Sequence, residues 1–235
     1  MDKEIKFFED YVNKFDKSID KVMYKYKHTY RVVGFAKEIA KSLDLDKKEY
    51  NRAVVCALFH DLGRFEQVTN YNTYIDRISF DHGDRGYEIL KENNYNDEIV
   101  QKAVKYHNKK DVPVFDELTN MHCNIVRDAD KIDIIIETSN SVKNPNVRID
   151  EHVINNFKNH ELVANEAGDT DFLYVIREIA FFFDINYKRS MEILLEHDLL
   201  NKKLNLIRSD INKDQVDLIE KELKKYIKER FDIEC

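Results

Sequence analysis

A chain of 235 residues with 43% hydrophobic and 35% charged residues can bury a sizeable core and is too apolar for a disordered segment. Only 5 Gly and 2 Pro are present, too few for the turns of an all-β or doubly wound protein, so the composition points to an all-α fold. A net charge of −7 argues against a stable nucleic-acid complex held by phosphate contacts, and no apolar run approaches the roughly 20 residues of a membrane span.

In chain order, the opening stretch "MDKEIKFFEDYV" has no apolar signal-peptide region. With three cysteines lacking metal-type spacing (Cys56, Cys123, Cys235), the expectation is a cytoplasmic protein with reduced thiols. Residues 28–43 place His28, Val32, Phe35, Ala36, Ile39 and Leu43 on one face at helical spacing. Residues 47–60 are apolar nearly all round from Ala53, which predicts a central buried helix. Helices are expected over 82–93 and 96–107, the second with Asp97 near its N-cap. The stretch 124–137 reads as a helix, although the triplet Ile134–Ile136 alone could be a strand. A loop at 140–148 precedes helices at about 150–160, 169–186, 187–198 and 213–230. Gly63, Gly83 and Gly86 are read as loop glycines supplying backbone freedom. The chain is expected to be a single all-helical domain, 1–235, with a core at about 20–140 and a C-terminal helical extension at about 150–235. The amphipathic last helix is a candidate surface for homo-oligomers.

One stretch resists this bland reading. In "VVCALFHDLGRF" an apolar helix ends on His60 and Asp61, and a buried carboxylate costs several kcal/mol unless something compensates it. His28, His82, His107 and Asp130 likewise stand on the apolar stripes of their helices, most of them near a helix end. Imidazole and carboxylate together suit Zn, Mn, Fe or Ni, and a bound cation would compensate Asp61. His122, His152, His160 and His197 lack the pattern and are read as non-site residues. Asp128 sits about 200° from Asp130 round the helix and is assigned to capping or a salt bridge.

His28, then His60–Asp61 in "ALFHDLGRF", then Asp130 in "IVRDADKIDII", resemble the H…HD…D signature of the HD-domain metal-dependent phosphohydrolases over about residues 25–140. The resemblance implies an HD-domain helical bundle with the metal held between helices. It makes His28, His60, Asp61 and Asp130 the first-metal ligands, with Asp61 bridging if there are two ions. His82 and His107 match the two extra histidines that some members use for a second metal. One or two divalent ions are implied, among Mn, Fe, Ni, Co, Zn and Mg. Asp61 would orient or deprotonate water, Arg64 and Lys131 are candidates for holding a phosphate, and Glu66 and Asp81 are acid/base candidates. The expected activity is hydrolysis of a phosphate mono- or diester in a small, nucleotide-like substrate. The alternatives are a di-iron oxygenase on the same fold and a non-catalytic metal-stabilised signalling module. A cyclic-dinucleotide phosphodiesterase of the HD-GYP type is disfavoured because Gly86–Tyr87 is followed by Glu88 rather than proline. Stringent-response alarmone hydrolases share the HD pair and last aspartate, but no synthetase or regulatory region accompanies them here.

Overall fold

The computed structural model describes residues 1–138, 140–164 and 170–235. The described residues form α-helices and two short 3-10 turns, with no strand among them. They divide into two compact units, Met1–Asp133 and Ile134–Cys235. No helix among them is long and apolar enough to cross a membrane. Cys56 and Cys123 are buried thiols and Cys235 is an exposed one.

The first unit holds α1 (Asp2–Val12), α2 (Asp20–Ser42), α3 (Lys47–Phe59), α4 (Leu62–Tyr71), α5 (His82–Glu92), α6 (Glu98–Tyr106) and most of α7 (Glu117–Glu137). α3 is the central post: every residue from Ala53 to Phe59 is buried. Its start is set by Asp46, whose carboxylate accepts from the Glu49 amide at 2.8 Å. α2 packs along α3 and α4, α5 lies between α4 and α6, and α6 returns to α3. Asp97 caps α6 as expected, accepting from the Ile99 and Val100 amides.

Several boundaries differ from the sequence reading. α2 begins at Asp20 rather than at His28, so His28 sits within the helix and not at its opening. α7 begins at Glu117, and the Ile134–Ile136 triplet is helical. α1 and α4 had no predicted counterpart, since α1 is highly charged and α4 is short and carries Gly63.

Gly63, Gly83 and Gly86, expected in loops, lie inside α4 and α5 instead. Close approach explains them. A Cβ on Gly63 would come within 2.3 Å of the His82 carbonyl oxygen, and one on Gly86 within 2.8 Å of Val104 Cγ1. A backbone atom cannot swing aside, so Gly63→Ala is expected to destabilise the chain by about 1–3 kcal/mol. Gly34→Ala, whose Cβ meets nothing within 4 Å in mid-α2, is expected to stabilise by about 0.5–1 kcal/mol. Denaturant midpoints of the two variants should therefore move in opposite directions.

In the second unit α8 (Glu151–Lys158) packs on α12 (Lys213–Phe231), while α9 (Asp171–Ala180) packs on α11 (Leu199–Ile207), next to α10 (Lys188–Glu196). The helix expected over 169–186 is α9 followed by a 3-10 turn at Phe181–Asp184; its first residue, 169, lies outside the described residues. The expected 187–198 helix stops at Glu196, because Asp198 adopts the left-handed conformation and starts α11. A buried ion pair, Lys203 Nζ to Glu178 Oε2 at 2.8 Å, joins α11 to α9.

Candidate metal centre

His60 and Asp61 occupy the corner between α3 and α4, His60 as the C-cap of one and Asp61 as the N-cap of the other. α2 brings His28, α7 brings Asp130, the first residue of α5 is His82, and His107 caps the end of α6. All six side chains meet around the Asp61 carboxylate. On its Oδ2 side lie His28 Nε2 at 3.3 Å and His60 Nε2 at 3.4 Å. Those two nitrogens are 3.2 Å apart, and Asp130 Oδ1 is 3.1 Å from the first and 3.7 Å from the second. On the Oδ1 side lie His82 Nε2 at 3.5 Å and His107 Nε2 at 3.7 Å, themselves 3.1 Å apart.

These spacings fit a small cation. Four tetrahedral donors bound at about 2.1 Å would stand about 3.4 Å from one another. The other ring nitrogens explain why the Nε2 atoms point inward. His60 Nδ1 donates to the Ala57 carbonyl and His107 Nδ1 to the Val104 carbonyl, each at 2.7 Å, using acceptors that the last turn of a helix leaves over. His28 Nδ1 donates to Asp133 Oδ2 at 2.6 Å, and His82 Nδ1 to Asp76 Oδ2 at 2.7 Å. With every Nδ1 engaged, each ring is held so that Nε2 is the atom that faces the others.

Electrostatics separates the two clusters. Burial, reinforced by Arg64, holds His82 down at about 4, and burial also lowers His107. Their neutral rings therefore face each other with no proton between them. For His28, burial and Lys25 push downward, but hydrogen bonds to Asp130, Asp133 and Asp61 outweigh them and hold it at about 9. Asp61 and Asp130 stay well below the ordinary carboxylate range despite their burial penalty, Asp61 chiefly through Lys25 and His60, Asp130 chiefly through His28.

A proton on His28 and a cation in the first cluster thus compete for the same nitrogen. Because the folded value lies above the ordinary 6.5, the stability this proton contributes is complete below pH 6.5 and is lost as pH rises through about 9. In metal-stripped protein, the gap in thermal midpoint between wild type and His28→Gln is therefore expected to narrow across that window.

Residues 26–135 match the family model of the HD domain. This segment is an HD domain. The six clustered side chains all fall within it, and for this segment the HD domain implies a metal-dependent, hydrolase-like superfamily. No curated protein and no solved structure matches the chain.

Around the HD domain's clusters stand residues the sequence reading did not single out. Asp133 is buried and accepts from Arg31 Nε at 2.6 Å and Nη2 at 2.9 Å as well as from His28. Asp76, in the segment between α4 and α5, accepts from His82, Arg64 and Gln67. Arg127 on α7 donates to the carbonyls of Tyr106, His107 and Lys109, clamping the end of α6 that carries His107. Lys25 on α2 donates to Asp61 Oδ2 at 2.7 Å. Helical spacing is the signal that could have found three of these: Lys25 and Arg31 are three residues either side of His28, and Asp133 is three after Asp130.

Arg64 aims Nη1 at Gln67, the Tyr74 carbonyl and Asp76, and its Nε lies 3.7 Å from Asp61 Oδ1. Lys131 is buried with Nζ 3.5 Å from the Arg127 carbonyl. Glu66 accepts from Arg85 at 2.6 Å, and Asp81 caps α5 and pairs with Lys109 at 2.5 Å. Asp128 is fully buried on α7. His122 pairs with Glu49 at 2.8 Å, away from both clusters.

Proposed function

We propose that this HD domain hydrolyses phosphate esters of small, nucleotide-like molecules with the help of divalent cations held by His28, His60, Asp61 and Asp130 and by His82, His107 and Asp61. The observation that carries the reading is the pair of Nε2 donors on each face of one carboxylate. Bound there, a divalent cation lowers the pKa of its water to about 7 and neutralises charge on phosphoryl oxygens.

The chain's own residues do the rest. Asp61 offers one oxygen to each cluster, so a single buried side chain sets the spacing between them. The engaged Nδ1 atoms lock the four rings, so little reorganisation accompanies catalysis. Asp130 has an 18% exposed side chain while His28, His60 and Asp61 are nearly sealed, so substrate enters from the Asp130 side. There the Asp130 carboxylate can accept a hydrogen bond from the attacking water and orient it. Lys25 and Arg64 place positive charge on either side of Asp61, complementary to a phosphoryl group.

The test is a screen of aryl phosphate and a nucleotide panel with Mn, Co, Ni, Mg and Zn. Hydrolysis that disappears in chelator and returns with metal is the expected result; no turnover of any phosphate ester overturns the reading. Four histidines among six donors also suit a di-iron oxygenase. Iron in protein purified without added metal, with oxygen consumption, would select that chemistry instead.

A further inference from the structure

Lys25 is the unexpected member of this site. Its side chain is only 11% exposed, and its ammonium donates to Asp61 Oδ2 at 2.7 Å. That is the oxygen facing His28 and His60, the one a cation in the first cluster would use. The Tyr74 ring lies 5.4 Å from the ammonium. The opposite face of Asp61 is different: Arg64 Nε stands 3.7 Å from Oδ1, outside hydrogen-bond range, and the guanidinium is committed to Asp76 and its neighbours. The two clusters therefore differ in what already holds their shared carboxylate. Lys25 also lies one residue outside the segment matched as the HD domain.

We propose that Lys25 is a resident cation of the first cluster, competing with the divalent ion for Asp61 Oδ2 and holding that cluster's affinity down. The inference rests on the reading that the first cluster binds a divalent cation. Its logic is charge counting in a buried site. Asp61 and Asp130 supply two negative charges, His28 and His60 supply none when they ligate, and Lys25 cancels one. An incoming ion meets half the compensating charge it would otherwise find, and must share its carboxylate oxygen with an ammonium. The alternative role has the opposite sign. If Lys25 merely held Asp61 in its rotamer, removing it would loosen the ligand set and weaken the ion.

The experiment uses the full chain carrying His82→Ala, which silences the second cluster, stripped with chelator and titrated calorimetrically with Mn²⁺. Lys25→Met and Lys25→Gln both remove the charge at similar length; Lys25→Arg keeps it. The neutral variants are expected to bind at least about tenfold more tightly, a change of about 1.4 kcal/mol, with the arginine variant close to the parent. Circular dichroism confirms that each is folded. Unchanged or weaker binding in a folded neutral variant overturns the proposal. Failure of parent and neutral variants alike to bind Mn²⁺ overturns it together with the first-cluster reading. Tighter binding without any phosphatase activity supports the role of Lys25 while removing the proposed reaction.

Discussion

Replacing Asp61 with alanine is expected to abolish cation binding at both clusters and to lower hydrolysis by about 10³-fold or more. The expectation follows from position: Oδ2 faces His28 and His60, and Oδ1 faces His82 and His107. A bound metal contributes several kcal/mol of charge stabilisation, and each 1.36 kcal/mol is roughly a factor of ten in rate. Alanine does a second kind of damage. It strands the Lys25 ammonium in a buried site, and breaking a buried pair by removing one partner typically costs about 3–5 kcal/mol. Asp61→Asn separates the two effects, since its amide oxygen can still accept from Lys25 while its charge is gone. The asparagine variant should keep near-parental thermal stability in chelator yet gain none on adding Mn²⁺. Full activity in either variant would remove Asp61 from the reaction.

Asp133→Ala is expected to weaken cation binding at the first cluster by roughly 10–100-fold without touching any donor atom. Asp133 holds His28 Nδ1 at 2.6 Å and is itself held by two bonds from Arg31. Its loss frees the ring to rotate and removes the negative charge that makes Nε2 a better donor. It also removes one of the groups that hold His28 at about 9. The variant should therefore show weaker Mn²⁺ binding together with a lower pKa for His28, read by ring-proton chemical shifts in chelator. Weaker binding with the His28 pKa unmoved would mean that Asp133 supports the fold and not the ring.

Most of the constellation was legible because helical spacing and apolar context act locally. A histidine or aspartate that ends an apolar stripe must point where the stripe points. His28, His60, Asp61, His82, His107 and Asp130 all stand on such stripes, and these six do converge. Arg64 and Lys131 illustrate its limit: a cation next to a motif residue is near the site along the chain, but its direction depends on which acceptors other segments deliver. The Arg64 fork is taken up by the Tyr74 carbonyl and Asp76, which arrive from the segment before α5. The glycines were misread for a related reason. Nothing local distinguishes a glycine needed for a turn from one needed where two backbones touch, as Gly63 does with His82.

The all-helical class, the buried α3 post and the identity of the clustered donors follow from composition and periodicity, which state which faces must be buried. Tertiary structure alone decided which oxygen of Asp61 serves which pair of rings, which carboxylates and carbonyls hold each Nδ1, and that Lys25 reaches Asp61 across 36 positions of chain. Those are distances between segments far apart in sequence, set by how helices pack, and no local pattern encodes them.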